Sequence, residues 1–169
     1  MKYFNGFSLK GEEEIFSEFI EDSDFTIVGF SYGAQKAFEY VYNATTRVER
    51  LILLSPAFFQ TQKNSFIRTQ LRYFDSNKDE YIKQFLLNTA YPSDISLDNY
   101  LLRGSKDELE ELLNYKWDID RLKEISAKGI KIDVYLGYED KIINSKEAFD
   151  FFKEVATIYY IKEVGHALR

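Results

Sequence analysis

One serine of the sequence stands in a setting that suits a nucleophile. Ser31 lies between Gly29 and Gly33, directly after the β-forming run 25–30 and directly before an amphipathic helical pattern over 33–42. A strand, a sharp turn and a helix in that order hold a serine hydroxyl above the sheet, where the helix N-terminus directs free N–H groups at it. The two glycines are needed because larger side chains would collide across the turn. The alternative is a strand-to-helix turn in which the glycines serve packing alone.

A serine hydroxyl needs a neighbouring base, and the sequence contains one histidine, His166. It follows the last predicted strand, and imidazole suits general-base chemistry near neutral pH. The base in turn needs a carboxylate that orients the imidazole and stabilises its charged form. Asp140, just after the predicted strand 131–136, is the first choice for this acid, and its neighbour Glu139 is the alternative. Ser31, Asp140 and His166 are therefore a candidate catalytic triad, although each residue type alone is more often structural.

Two backbone N–H groups are the predicted donors of an oxyanion hole. One belongs to Tyr32, the residue after the serine, and the other to Phe7, in the loop after the first strand. The alternative for that loop is a simple turn at Asn5-Gly6. Four aromatic side chains around these loops are candidates for substrate binding: Phe7, Tyr32, Phe58 and Phe59. Since the chain has 15 Phe and 13 Tyr, a place in the core is an equally good interpretation for each of them.

The elements that must position these residues follow an α/β pattern. Strands are predicted at 2–4, 25–30, 50–54, 131–136 and 157–161, and helices at 12–20, 33–42 and 146–155. Between the third and fourth strands, four helical patterns replace the strand signals: 66–74, 79–87, 106–115 and 118–128. Strands separated by helices predict a mostly parallel sheet of about five strands with right-handed crossovers. The prediction is a single α/β domain, 1–169, with a core of 1–57 and 129–169 and an inserted helical cap, 58–128.

Composition limits the class of protein. The chain has no cysteine, which excludes disulfides, thiolate nucleophiles and cysteine metal sites. No clustered ligands and no glycine-rich phosphate loop are visible, so neither a metal nor a cofactor is predicted. The net charge of −6 argues against nucleic-acid binding. No segment approaches the roughly 18 apolar residues of a membrane span, and the N-terminus lacks the apolar stretch of a secretory signal. We therefore expect a cytoplasmic protein that binds neither nucleic acid nor membrane.

At these residues the chain resembles the α/β-hydrolase superfamily along nearly its whole length, in a short form that begins at the family's third strand. The family's His-Gly after that strand is Asn5-Gly6 here. A closer resemblance is to the compact pimelyl-acyl-carrier-protein methyl ester esterases of the BioV family. The residues that carry it are Gly29 to Ala34, then Ala37, Glu39, Tyr40, Tyr42 and Asn43, then Ser55-Pro56, the segment 108–116, and Gly137 with Asp140.

The resemblance implies an activity and a partner. The activity is hydrolysis of the methyl ester that caps a pimeloyl chain on acyl carrier protein, for biotin synthesis. Alternatives are another serine hydrolase, such as an acyl thioesterase or a broad short-chain carboxylesterase, and a non-catalytic binding module of the same fold. Together with the charge pattern, the resemblance predicts that Lys63, Arg68 and Arg72 dock the acidic carrier protein, because residues 60–74 contain these cations and no Asp or Glu. An ordinary solvated helix face is the alternative for this segment.

Overall fold

Five parallel strands, paired in chain order, form one sheet in the computed structural model, which describes residues 1–20 and 23–169. They are β1 (Lys2–Phe4), β2 (Thr26–Phe30), β3 (Arg50–Leu54), β4 (Lys131–Gly137) and β5 (Thr157–Ile161). In the register of the central strands, Val28 lies opposite Ile52, and Ile52 lies opposite Asp133. Strands β2 and β3 are buried almost throughout, as their continuous apolar sequences predict for strands covered on both faces.

Six α-helices accompany the sheet in the described parts of the chain. They are α1 (Tyr32–Tyr42), α2 (Asn64–Ser76), α3 (Lys78–Ala90), α4 (Lys106–Asn114), α5 (Ile119–Ala127) and α6 (Ser145–Phe152). The starts of α3, α4 and α5 are set by Asn77, Ser105 and Asp118, whose side chains accept first-turn backbone N–H groups. Helices α2 to α5 lie between β3 and β4 in the chain, where the four helical patterns predicted them. In the same described parts, no helix has the length and apolar character needed to cross a bilayer.

The first predicted helix is wrong in type and in length. The apolar spacing predicted an α-helix over 12–20, but the structure has a 3-10 helix over Glu12–Phe16, with turns after it. Gly11, with φ 76°, redirects the chain immediately before this element. The Glu12 side chain does not face solvent in a first helical turn; it is buried and accepts a hydrogen bond from the Gly6 N–H. These two local constraints override the helical periodicity.

The hydrophobic core runs without interruption from the sheet into the inserted helices. Trp117, just before α5, packs edge-on against Phe152 of α6 and also contacts Phe38 of α1, with ring centroids 4.9 and 5.4 Å away. Its indole N–H donates to the carbonyl of Ala57, 2.9 Å away. The inserted helices are therefore held on the sheet by buried apolar surface and by a satisfied polar anchor.

Candidate active site

Ser31 lies at the turn between β2 and α1 in a backbone conformation that is rare for a residue with a side chain, with φ 53° and ψ −113°. Its N–H donates to the carbonyl of Leu54 at the end of β3, 2.9 Å away. The turn also brings backbones very close together. A Cβ added to Gly29 would lie 2.3 Å from the carbonyl oxygen of Gly33, and one added to Gly33 would lie 2.0 Å from that of Phe4. Both glycines are required for close approach.

Ser31, His166 and Asp140 form one hydrogen-bonded row. The Nε2 atom of His166 is 2.9 Å from Oγ of Ser31, and its Nδ1 atom is 2.6 Å from Oδ2 of Asp140. The side chains of His166 and Asp140 are 0% exposed, and Ser31 is 1% exposed. The second Asp140 oxygen accepts the backbone N–H groups of Ile142 and Ile143, at 2.7 and 3.0 Å. With a proton on Nδ1 shared with Asp140, Nε2 is free to accept the serine proton.

Glu139, the alternative acid, is held elsewhere. Its backbone N–H donates to the carbonyl of Val164 at 2.9 Å, and the hydrogen bond to the imidazole belongs to Asp140. The hydrogen bond between Asp140 and His166 ties the loop after β4 to the loop after β5. The two loops also meet backbone to backbone, because a Cβ on Gly137 would lie 2.1 Å from the carbonyl oxygen of Gly165. The pairing of β4 with β5 thus delivers the carboxylate and the imidazole to the same point.

The histidine loop is braced by the inserted helices. The N–H of Ala167, next to His166, donates to the carbonyl of Thr89 near the end of α3, 3.0 Å away. Gly165 lies so close to the carbonyl of Tyr91 that a Cβ would approach its oxygen to 1.8 Å. Sequence reasoning missed this contact because a backbone carbonyl carries no side-chain signature. The position of the imidazole therefore depends on where α3 ends.

The two predicted oxyanion donors come from elements on either side of the serine. Tyr32 is the first residue of α1, so its N–H is one of the amides that a helix start leaves free. Phe7 lies in the loop after β1, and no hydrogen-bond partner of its N–H is seen within residues 1–20 and 23–169. This loop packs on the start of α1, since a Cβ on Gly33 would also approach the carbonyl oxygen of Asn5 to 2.5 Å. The loop that contains Phe7 thus begins beside the serine turn.

A cavity of about 550 Å³ lies between α2, α3 and α4 and reaches the loop that carries Asp140. Its walls are mainly apolar and include Phe66, Leu112 and Ile142, with amide side chains such as Gln84 among them. Ser31 does not line this cavity.

The four aromatic side chains predicted to bind substrate divide into two pairs. Phe59 lines the cavity, and the buried Phe7 makes an edge contact, with centroids 5.5 Å apart, with the cavity-lining Phe85. Phe58 and Tyr32 do not line this cavity.

Phe58 packs in the core against Phe151 and Phe152, with centroids 5.4 and 6.1 Å away. The hydroxyl of Tyr32 donates to Glu111 on α4, and its ring lines a separate surface cleft of about 200 Å³. Burial and this carboxylate raise the pKa of the Tyr32 phenol, so it remains neutral. Tyr32 thus contributes its N–H to the serine turn and its side chain to a contact with the inserted helices.

The predicted docking cations are exposed on α2 and at its start. Lys63, Arg68 and Arg72 make no ion pair that is seen in the described parts of the chain. Arg68 and Arg72 lie one turn apart, on a different face of α2 from the cavity-lining Phe66 and Gln70. These cations are available to an anionic partner but do not line the cavity.

The chemistry of the site rests on its own side chains. Among the described residues, no group of three or more His, Asp or Glu is arranged to hold a metal ion. A hydroxyl, an imidazole and a carboxylate in a buried row can move a proton from serine to histidine and back. The N–H of Tyr32, left free at the start of α1, can donate a hydrogen bond to a negative oxygen.

No protein-family model matches the sequence, and no curated protein matches it either. Solved structures match the fold. An esterase from Exiguobacterium antarcticum superposes with a TM-score of 0.65 at 18% identity, over 83% of this chain and 59% of that chain. Naproxen esterase from Bacillus subtilis superposes with a TM-score of 0.58 at 18% identity, over 85% of this chain and 53% of that chain. BioG from Haemophilus influenzae superposes with a TM-score of 0.59 at 13% identity, over 98% of this chain and 87% of that chain.

The chain spans between 53 and 59% of the length of those two esterases. The superpositions include the parallel five-stranded sheet and its helices in a fold that this chain shares with those proteins. At these identities, the likeness shows the fold alone. The chain therefore has the α/β-hydrolase fold in a compact form.

Proposed function

We propose that the protein is a serine carboxylester hydrolase. Ser31 is the nucleophile, His166 the general base and acid, and Asp140 the carboxylate that orients the imidazole. The observation that supports this proposal best is the buried row in which one imidazole joins both other side chains, at 2.9 and 2.6 Å. A binding module has no need of a serine in a strained turn aligned with the only histidine of the chain.

The acylation half of the reaction follows from this row. Oγ of Ser31 attacks the ester carbonyl carbon while Nε2 of His166 takes its proton. The carbonyl oxygen becomes negative and accepts hydrogen bonds from the N–H groups of Phe7 and Tyr32. When the tetrahedral intermediate collapses, the bond to the alcohol oxygen breaks and His166 returns the proton to that oxygen. Alcohol leaves, and the acyl group remains on Ser31.

The deacylation half uses the same groups with water as the nucleophile. His166 takes a proton from a water molecule, whose oxygen attacks the acyl carbon. The bond to Oγ then breaks, and His166 returns the proton to the serine. The free acid leaves, and the enzyme is regenerated with its imidazole neutral.

The substrate that we propose is the methyl ester of a pimeloyl chain on acyl carrier protein, converted in the cytoplasm for biotin synthesis. This proposal comes from the sequence resemblance to the BioV esterases. The apolar walls of the cavity beside the Asp140 loop suit an acyl chain of this kind. Methanol is then the alcohol that leaves, and the thioester to the carrier stays intact.

The test of this function is an assay on the carrier-bound methyl ester, followed by intact-protein mass spectrometry. We expect the carrier to lose the mass of one methylene group, and Ser31→Ala to abolish the change. Release of the whole acyl group from the carrier would identify a thioesterase instead. Turnover of small soluble esters alone would identify a broad carboxylesterase, and inactivity of the folded wild-type protein on all of them would leave a binding module.

The acid is tested by a matched pair of variants. Asp140→Asn should lower kcat by several powers of ten, because the amide can present its N–H to the imidazole and stabilise the wrong tautomer. Glu139→Gln, which makes the same chemical change one residue earlier, should remain near wild type. If the Glu139 variant is the more damaged of the two, the assignment of the acid is wrong.

For the carrier, we propose that Lys63, Arg68 and Arg72 form the docking surface. Three exposed cations without ion pairs in the described structure, in a chain of net charge −6, support an anionic partner. Surface charges act mainly on encounter and are screened by salt.

Arg68→Glu with Arg72→Glu should therefore slow turnover of the carrier-bound ester at low ionic strength and spare a small soluble ester. The matched control is Lys123→Glu with Lys128→Glu, which makes the same charge change on α5 and at the residue that follows it. Equal losses in both double variants would reflect net charge alone. No loss in the α2 variant would place the docking surface elsewhere.

A further inference from the structure

Glu12 is a buried acid that takes no part in the row of Ser31, His166 and Asp140. Glu12 is 0% exposed. Oε1 accepts the Gly6 N–H at 2.7 Å and the Tyr3 hydroxyl at 3.3 Å. Oε2 is buried and has no partner among the described residues. Burial raises the pKa of this carboxyl group, against the lowering effect of the Gly6 hydrogen bond. A buried acid with an unused oxygen is costly to keep, which calls for a specific role.

The hydrogen bonds of Gly6 fix the peptide unit that carries the proposed oxyanion donor. Its N–H is held by Glu12, and its carbonyl oxygen accepts the N–H of Leu9 at 3.2 Å. The Gly6 carbonyl and the Phe7 N–H belong to the same planar trans peptide, so they point in opposite directions. Holding Gly6 at both its N–H and its carbonyl therefore sets the direction of the Phe7 N–H.

The same small element also touches the residue before the nucleophile. Phe16, at the end of the 3-10 helix that begins with Glu12, packs on Phe30 with ring centroids 4.6 Å apart. Gly6 lies against the same ring, since a Cβ there would approach it to 2.7 Å. The loop after β1, the 3-10 helix and the strand that ends at Ser31 are thus packed as one unit.

We propose that Glu12 is a positioning residue that holds the Phe7 N–H in the oxyanion hole. The inference rests on the proposed hydrolase function. Glu12 does not touch the substrate; it acts through Gly6. Its effect should appear in the tetrahedral intermediate, where the negative oxygen needs the Phe7 N–H, and not in the binding of the ground-state ester.

The test compares Glu12→Leu, which removes the acceptor oxygens at nearly constant size, with Glu12→Gln, which keeps one acceptor. On a small soluble ester, Glu12→Leu should lower kcat by about 10- to 100-fold with KM little changed, since misplacing one donor costs on that order. Inhibition by a boronic acid, which forms a tetrahedral adduct on serine, should weaken by a similar factor. Glu12→Gln should restore most of both. Glu13→Leu and Glu13→Gln, at the exposed neighbour, are the matched controls and should behave as wild type.

If Glu12→Leu does not fold, Glu12→Asp provides the same test, because the shorter acid withdraws its oxygens from Gly6 and keeps the charge. A wild-type kcat in the folded Glu12→Leu or Glu12→Asp protein overturns the inference. An equal loss of kcat in Glu12→Gln, or a loss expressed only in KM, overturns it as well. Failure of the wild-type protein to hydrolyse any ester would instead overturn the proposed function, so the two failures are distinguishable.

Discussion

Alanine at Gly33 should disrupt both the fold and the proposed oxyanion loop. The added Cβ would lie 2.0 Å from the carbonyl oxygen of Phe4 and 2.5 Å from that of Asn5. Optimal contacts between heavy atoms lie near 3.5 Å or above, so β1 and the start of α1 must separate by roughly 1 Å or more. Both groups that would collide are backbone, so no rotamer change relieves the contact. We expect a loss of about 3 kcal/mol in the free energy of unfolding, at the upper end for overpacked sites.

The matched control is alanine at Gly129, between α5 and β4. No atom lies within 4 Å of a Cβ built there, but φ is +82°. This variant should lose only about 1 kcal/mol, from the left-handed conformation itself. For a chain of this size, about 1 kcal/mol shifts Tm by about 2–4 °C. Thermal melts should therefore show a drop of about 6–12 °C for Gly33→Ala and a clearly smaller drop for Gly129→Ala.

Activity separates the two variants further. Moving Asn5 displaces the loop that holds Phe7, so kcat on a small ester should fall at least about 10-fold in Gly33→Ala. Gly129→Ala should keep the wild-type kcat at temperatures where it is folded. Equal melting temperatures and equal kcat values for the two variants would refute the close approach of β1 and α1 on which this reasoning depends.

Three further predictions concern charge and the cavity. Arg121 donates two hydrogen bonds to Glu39, at 2.8 and 2.6 Å, and they hold the pKa of Glu39 below its ordinary value of 4.5. The ion pair therefore stabilises the folded state above pH 4.5, and this stabilisation is lost as the pH falls through the pKa of the folded state. Glu39→Gln should therefore flatten the acid limb of stability in urea unfolding at a series of pH values, with a cost near pH 7 of about 1 kcal/mol or less, because Glu39 is partly exposed. Burial has the opposite effect on Glu12, because it raises the pKa of this carboxyl group above 4.5. The free energy of unfolding should therefore fall as the pH rises through the pKa of the folded state. Glu12→Gln should remove that fall and be more stable than the wild-type protein at neutral pH. Asn88→Trp should fill part of the 550 Å³ cavity, so that a steady-state comparison shows turnover of a hexanoyl ester falling more than that of an acetyl ester; equal losses would place the acyl chain outside this cavity.

The sheet and the serine turn were open to prediction because local sequence dominates there. The apolar run Leu51 to Leu54 has few alternatives to a buried strand, and Gly29, Ser31 and Gly33 match the steric demands of a tight strand-to-helix turn. Ser31, Asp140 and His166 each follow a predicted strand, and the carboxyl ends of parallel strands lie at the same edge of a sheet, so the sequence also predicted that these three side chains lie close together.

Other features were beyond the sequence because tertiary contacts decide them. Phe58 and Phe59 are adjacent in a loop without periodicity, and only packing directs one into the core and the other into the cavity. The predicted helix 12–20 would place Glu12 in its first turn, yet Glu12 is buried and accepts hydrogen bonds from Gly6 and Tyr3. Glutamate is rarely buried unless it is paired, so the residue type alone predicts an exposed side chain at position 12.

The central claim is that Ser31 is an activated nucleophile, and covalent labelling tests it most directly. The folded protein is incubated with a small fluorophosphonate, and the adduct is located by peptide mass spectrometry. We expect a single adduct on Ser31, absent from Ser31→Ala and formed far more slowly in His166→Ala, because the imidazole at 2.9 Å takes the serine proton. An adduct on a different serine, or labelling that is equally fast without His166, would contradict the account.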